Sequence, residues 1–378
     1  MNITIQGQGA ISAAGSTAAA AWQRYVLGEP CWEQNTETGH PVYRIDALPV
    51  NPQVNAFSAK NQPDRSALLA LYAADEAVKQ AGWEGKDFAI LVGCSRGPTQ
   101  SWEEGFSHFS ETGASEVRTS PKTTLGSIGF ALADYFSTEA LASSLSVTCS
   151  SGMHAILHGI ALLQSGMAER VLVGGAEAPL TTFTLRQLEA LRIVAPVPEV
   201  SAHACRPMDQ PASGMVIGEG AAFLALSLAD PARDAGKPHL TALAHAREKH
   251  TSPTGISPTG EGLQKTMRAA IAQACWPDLI IAHAPGTKRG DAAELTAIQA
   301  LCSDAGKTPF ITSFKWATGH TFGASGPLAI SAALGILEHR ACPPIPYASD
   351  CFPTRTIERI LINATGFGGN VVSLMVGR

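Results

Sequence analysis

The chain predicts an α/β protein built as two copies of one unit, with two mixed sheets and two central helices sandwiched between them. Three observations carry this. Short apolar runs alternate with stretches of helical period along the whole length. Ser151-Gly152-Met153-His154-Ala155-Ile156 aligns at constant offset with Ser325-Gly326-Pro327-Leu328-Ala329-Ile330, and both open helices that are apolar around their circumference, through Leu163 and Leu337. Each of these helices is followed by a matching strand, Glu169-Arg170-Val171-Leu172-Val173 in the first copy and Glu358-Arg359-Ile360-Leu361-Ile362 in the second.

The elements follow in order. Residues 2–12 alternate into a glycine turn and read as a strand, followed by a helix from about Thr17 to Leu27. Gly28 to Ala59, rich in Pro, Asn and Gly, reads as mostly loop. Asp64-Arg65-Ser66 starts a helix over Ala67 to Gly82, and Phe88 to Cys94 is a buried strand. A polar, aromatic stretch, 95–120, leads to a helix at about 124–136. A short strand then runs from Leu145 into Cys149 and opens into the first central helix, and Arg170 to Ala176 is the next strand. In the second copy, strands are expected at 240–246, 278–283 and 312–315, with a helix from Gly260 to Cys275 and the second central helix after a glycine-rich turn. The halves are placed at 1–230 and 231–378.

Composition restricts the function. Charged residues make up 16% and apolar residues 45% of the chain, a lightly charged surface of the kind that hides a broad face in a dimer. A formal charge of −5 with no run of Lys or Arg excludes an electrostatic footprint for nucleic acid or an anionic membrane. Eight cysteines, at 31, 94, 149, 205, 275, 302, 342 and 351, form no metal-spaced pair and no dense disulfide framework, which reads as a reduced, cytoplasmic protein. The N-terminal residues lack a basic region followed by a long apolar run, so no targeting segment is expected, and no apolar run is long enough to span a bilayer.

The chemistry centres on Cys149, at the junction of a strand and a buried helix. The helix N-terminus favours anions there, so the thiol pKa is expected to fall and the thiolate to serve as nucleophile, although a small apolar cysteine filling a gap would look the same. His283 ends a buried strand and enters the loop Ala284-Pro285-Gly286-Thr287. His320 precedes the second central helix, the twin of the cysteine's own, and the repeat therefore puts it close to Cys149. Each histidine alone also fits a structural role. No metal site is expected.

The residues then meet a known family. Val147-Thr148-Cys149-Ser150-Ser151-Gly152 resembles the nucleophile motif of β-ketoacyl-acyl-carrier-protein synthases, the ketosynthases. Further matches are Asp64-Arg65, Ala204-Cys205-Arg206-Pro207-Met208-Asp209, Gly214 to Gly220, and Ala282 to Thr287 with Gly290-Asp291 and Glu294. Lys315, Thr318-Gly319-His320 with Gly323 and Gly326, and the closing Gly366-Phe367-Gly368-Gly369 complete the set.

The resemblance implies a thiolase-like fold, a duplicated five-layer αβαβα architecture that is normally dimeric. It implies decarboxylative Claisen condensation without a cofactor. Cys149 would take an acyl group from an acyl carrier protein, and His283 and His320 would stabilise the enolate from malonyl carrier protein. Backbone amides of Cys149 and Phe367 would form the oxyanion hole, with Phe367 also gating. Lys315 and Glu294 would form a supporting charged pair, and Thr287 and Thr318 would bind substrate.

Departures are also present. Pro285 stands where the family usually has a threonine, Lys288 where a neutral residue is common, and bulky Trp316 where a small one is usual, so the pocket is expected to be narrowed or reshaped. Loops around 177–205 and 227–262 are short for the family. These features keep open a second reading, a chain-length-factor-like subunit that pairs with a catalytic ketosynthase. Side chains within 100–140 are expected to bound the product tunnel at the dimer interface.

Overall fold

The computed structural model describes residues 2–84, 87–198, 203–249, 255–348 and 356–378. Parts of both short loops, at 199–202 and 250–254, and Cys351 lie outside the described residues.

The first half contains β1 (Ile3–Ser12), α1 (Ala18–Leu27), β2 (Glu33–Gln34), β3 (Pro41–Tyr43), α2 (Pro52–Asn61), α3 (Arg65–Gln80), β4 (Ala89–Gly93), α4 (Thr99–Thr112) and α5 (Thr119–Lys122). It continues with α6 (Ser127–Phe136), β5 (Ala142–Leu145), α7 (Ser151–Gln164), β6 (Arg170–Glu177), α8 (Thr182–Ala190), β7 (Ile217–Gly218) and β8 (Gly220–Leu228). The second contains β9 (His239–Arg247), α9 (Glu261–Gln273), β10 (Leu279–Ile281), α10 (Lys288–Ala305), β11 (Phe310–Thr312) and α11 (Lys315–Thr318). A 3₁₀ turn (Phe322–Ala324), α12 (Ser325–His339), β12 (Arg359–Gly366) and β13 (Asn370–Gly377) close the chain.

The duplication is visible in strand order and direction. The first sheet runs β5-β4-β6-β8-β1 and the second β11-β10-β12-β13-β9, and each has two parallel pairings followed by two antiparallel ones. β1 and β9 are the corresponding edge strands. They pair antiparallel through Ile3↔Leu240 and Thr4↔His239 alone, so the two mixed sheets join into one ten-stranded array.

Strand periodicity explains the layers. Along β4, Ala89 and Leu91 face the central core while Ile90 and Val92 face the outer one; β6 divides Val171 and Val173 from Leu172 in the same way. The central core holds Met153, Ile156 and Ile160 of α7 with Ile330, Ala333 and Leu337 of α12, between Leu224 of β8 and Ile360, Ile362 and Leu374 of the second sheet. Outside the first sheet lie α3 and α6, and outside the second α9 and α10, each with its own apolar core. That gives five layers, with α7 and α12 in the middle.

Several elements differ from the sequence reading. The segment read as loop contains α2, whose start is capped by the Asn51 side chain with Pro52 at the first helical position. The stretch 95–120 contains α4, on which Trp102, Phe106 and Phe109 are exposed. Asp64 caps α3 as read, accepting from Ser66 N–H at 2.8 Å.

Candidate functional site

The cysteine elbow is irregular rather than a strand running into the helix. β5 ends at Leu145, and Thr148 adopts a left-handed backbone, φ 52°. Local hydroxyls hold this turn: Thr148 Oγ1 donates to Phe367 O (3.0 Å), Ser150 Oγ to Val147 O (2.9 Å), and Ser151 Oγ accepts from Val147 N–H (2.8 Å). Gly366 is required beside it, because a Cβ there would meet Thr148 Oγ1 at 2.3 Å. The elbow and the β12–β13 turn are therefore pressed together, and the backbone amides of Cys149 and Phe367 both interact with the Cys149 sulfur.

Cys149 is 6% exposed, and burial pushes its thiol up to about 12, reinforced by the negative charge of Glu177. Lys315 and the two amides oppose this without reversing it. The expectation of a lowered pKa is thus corrected. α7 begins only at Ser151, and desolvation in the packed centre outweighs the favourable helix end.

His283 and His320 face each other with ring centroids 5.2 Å apart and planes at 88°. Glu294 fixes the first: its carboxylate accepts His283 N–H (3.0 Å), Ala284 N–H (2.8 Å) and Asn363 Nδ2–H (3.0 Å). His320 is 1% exposed, with Nδ1 3.2 Å from Ser325 Oγ and no hydrogen-bond partner at Nε2. Its backbone is held by Val216 O and Gly218 N–H. Burial first and Lys315 second hold both imidazoles well below their ordinary range, with His320 adding to the effect on His283.

Lys315 is buried, and burial lowers its pKa against the opposing charge of Glu294. It makes no direct ion-pair contact with Glu294, whose oxygens are occupied by the two backbone amides and Asn363; the two charges act on each other through space. Thr287 caps α10 by accepting Gly290 N–H, and the buried Thr318 hydroxyl lies 3.1 Å from Gly319 O. Phe367 sits partly buried in the β12–β13 turn. Trp316 is fully buried in the central core, edge-on to Tyr25 and His203 and outside the apolar cluster around Cys149.

Other residues of the site carried no role in the sequence reading. Asp291 accepts Gly286 N–H (3.0 Å) and Met208 N–H (2.8 Å), fixing the loop after His283 while burial pushes its pKa up to about 7. Arg65 forms a bidentate pair with the buried Glu219, at 2.7 and 2.5 Å. Phe322 packs against His320 with centroids 5.0 Å apart. Glu177, an acid at the buried end of a strand that is apolar from Val171 to Ala176, was the available signal for a polar centre by the nucleophile. His154 and His158 stand one turn apart on α7, yet among the described residues no group of three His, Cys, Asp or Glu is placed to hold a metal ion. No helix of the described residues is long and apolar enough to cross a membrane.

Comparison with known proteins agrees with this arrangement. Residues 3–232 match the β-ketoacyl synthase N-terminal domain and residues 240–348 the β-ketoacyl synthase C-terminal domain. The chain is 26% identical to the tetracenomycin polyketide synthase ketoacyl synthase alpha subunit of Streptomyces glaucescens, over 97% of this chain and 95% of that protein. It is 25% identical to the 3-oxoacyl-[acyl-carrier-protein] synthase 2 of Staphylococcus aureus, over 97% and 96%. Among solved structures it resembles a type II polyketide acyl-carrier protein complex with its ketosynthase, TM-score 0.86 at 19% identity, covering 100% of this chain and 99% of that one. It also resembles a Xenorhabdus doucetiae ketosynthase in complex with its chain length factor, TM-score 0.83 at 23% identity, covering 100% and 98%. The fold is thiolase-like, and with both family domains spanning most of its length the chain belongs to the β-ketoacyl synthase family of condensing acyltransferases.

Proposed function

We propose that this chain condenses an acyl group held on Cys149 with malonyl carrier protein in a type II fatty-acid or polyketide system. The observation that carries the reading is a buried thiol bearing two backbone amides, joined through Phe322, which packs in the same apolar cluster as Cys149 and on the His320 ring, to two neutral, buried imidazoles 5.2 Å apart. Cys149 attacks the carrier thioester and the carrier thiol leaves with the proton; the amides of Cys149 and Phe367 stabilise the tetrahedral oxyanion. On the malonyl side, His283 and His320 donate to the thioester carbonyl, where negative charge develops as carbon dioxide departs. Ser325 Oγ at Nδ1 and the unpartnered Nε2 of His320 suit a tautomer with its proton on Nε2. The enolate carbon then attacks the Cys149 thioester, giving the 3-oxoacyl carrier product and expelling the Cys149 thiolate, which takes up one proton from solvent to restore the thiol. Lys315 and Glu294 support this set, Phe367 gates it, and Thr287 and Thr318 meet the carrier arm.

We take 1–230 as the half bearing the nucleophile and 231–378 as the half bearing both histidines, in a cytoplasmic dimer. The exposed Trp102, Phe106 and Phe109 of α4, with Phe130 of α6, supply an apolar face for a second subunit. The fold neighbours include two ketosynthase–chain length factor complexes, which favours pairing with an unlike ketosynthase, in a pathway such as aryl polyene synthesis, over self-pairing. A weakly catalytic chain-length-factor-like role is the second reading.

Intact-mass spectrometry after incubation with acyl carrier protein separates them. Acylation that is lost in Cys149→Ala and discharged by malonyl carrier protein supports the condensing enzyme. No adduct, together with stable pairing to a ketosynthase that does become acylated, supports the partner role.

A further inference from the structure

One buried acid beside the nucleophile has no part in that chemistry. Glu177 ends β6 at 0% exposure, and its carboxylate gathers donors from both halves of the chain. Ser95 N–H (2.8 Å) and Arg96 N–H (2.8 Å) come from the loop after β4, and the Cys94 thiol lies at 3.4 Å. Gly323 N–H (3.0 Å) comes from the turn before α12, directly after Phe322, which packs on His320. This junction has no spare room. A Cβ at Gly152 or Gly175 would each lie 2.4 Å from Gly323 O, and a Cβ at Gly323 would lie 3.0 Å from Glu177 Oε2. A fully buried carboxylate is costly unless its lone pairs are filled, and here four donors fill them.

We propose that Glu177 is a positioning residue of the condensing reaction: its carboxylate locks the turn carrying Phe322, and with it His320, against the Cys149 elbow, and sets a buried negative charge on the nucleophile's side of the site. The inference rests on the condensing reading. The charged groups acting on Cys149 are Glu177 from β6 and Lys315 from α11, beside the amides of Cys149 and Phe367; His320, linked to the cysteine through Phe322, and His283 opposite it are neutral, and Glu177 itself is held by Cys94 and the amides of residues 95, 96 and 323. Glu177 and Lys315 therefore pull the thiol in opposite directions. Glu177 has its own pKa raised to about 7 by burial, so its charge is exerted above neutral pH.

The test is the rate of Cys149 alkylation by iodoacetamide on the full-length protein from pH 6 to 10, read by intact mass with Cys149→Ala as the background. Glu177→Gln keeps the shape and removes the charge, so alkylation should accelerate above pH 7 and its profile move to lower pH, about tenfold in rate for each unit by which the thiol pKa falls. Malonyl-dependent condensation should fall at the same time, because the amide nitrogen cannot accept the donors that the carboxylate accepted. A loss of packing alone would lower activity without moving the profile. Lys315→Met provides an independent arm: with the opposing charge removed, the profile should move to higher pH and alkylation slow. An unmoved profile in Glu177→Gln, or in Glu177→Met should the first variant not fold, overturns the proposal. Alkylation uses no carrier protein, so that result stands apart from a failure of the condensing reading, which would appear as absence of the acyl adduct.

Discussion

Replacing Gly152 with alanine tests the close packing at the centre of the molecule. Gly152 lies in the first turn of α7, three residues after the nucleophile, where an added Cβ would sit 2.4 Å from Gly323 O and 2.5 and 2.6 Å from Pro327 Cγ and Cδ. Ordinary contact begins near 3.4 Å, so α7 and the turn before α12 must separate by close to an ångström, and a backbone oxygen and a proline ring have no rotamer that moves aside. Alanine gains about 1 kcal/mol of helix propensity over glycine, while overpacking of this kind costs about 1–3 kcal/mol and more against rigid neighbours. Taking the upper part of that range for these rigid neighbours, we expect a net loss of about 1–2 kcal/mol, which at about 2.1 cal/mol/K per residue lowers Tm by roughly 1–3 °C. Activity should suffer more, since an ångström of misplacement between nucleophile and oxyanion or enolate donors costs about a hundredfold. The assay pairs calorimetry with the carrier-protein acylation rate. Gly105→Ala on α4, where the close atom is only the rotatable Thr119 methyl, serves as control and should be neutral or slightly stabilising. A Gly152→Ala protein with native Tm and native acylation rate would refute the reasoning.

Three other predictions follow from the same coordinates. Because His320 is held well below the ordinary imidazole range, the unfolded chain takes up a proton as pH falls below about 6.5 while the folded one does not, so its contribution to stability is lost toward acid pH. His320→Asn should therefore flatten the fall in stability from pH 6.5 to 5.5 by up to about 1.4 kcal/mol per pH unit in urea titrations, and identical slopes would argue against a neutral buried imidazole. Arg65→Met leaves the buried Glu219 carboxylate without its bidentate partner and should cost about 3–5 kcal/mol of unfolding free energy; a change below 1 kcal/mol would show the pair to be dispensable. Phe106→Asp on the exposed face of α4 should shift a dimer toward monomer in sedimentation velocity while leaving monomer Tm within about 2 °C, since an exposed substitution costs little by itself.

What the sequence disclosed depended on whether the deciding forces were local. The cap at Asp64 and the two buried central helices are matters of spacing and composition, and both were readable. The repeat pointed to His320 as a neighbour of Cys149 and a strand end singled out His283, but that the two rings face each other 5.2 Å apart needed the assembled second sheet. The helix at Pro52–Asn61 had an Asn-Pro start signal, but its polar interior buries only Val54 and gave no periodicity to follow. The sign of the Cys149 shift was misjudged because a helix end is visible in one dimension, whereas the burial that raises the thiol, and the charge of Glu177 that adds to it, exist only once the layers have packed around the elbow. Likewise, no spacing could tell that Glu294 would give its oxygens to the backbone of His283 instead of Lys315, or that Trp316 would turn into the central core.

The seam between the sheets also dictates when the protein becomes whole. β1 pairs with β8 from Ile3↔Leu228 to Ser12↔Gly220 and touches β9 by two residues, so about 210 residues separate the end of β1 from the strand that completes its ladder. At about 5–20 residues per second a ribosome needs roughly 10–40 s to supply that partner, and throughout that interval an alternating apolar strand has no native edge to join. Long-range pairing of this kind makes folding slow. A nascent chain stalled before residue 220 should therefore be the species most in need of a chaperone, and one released after β8 has emerged should already hold its first sheet.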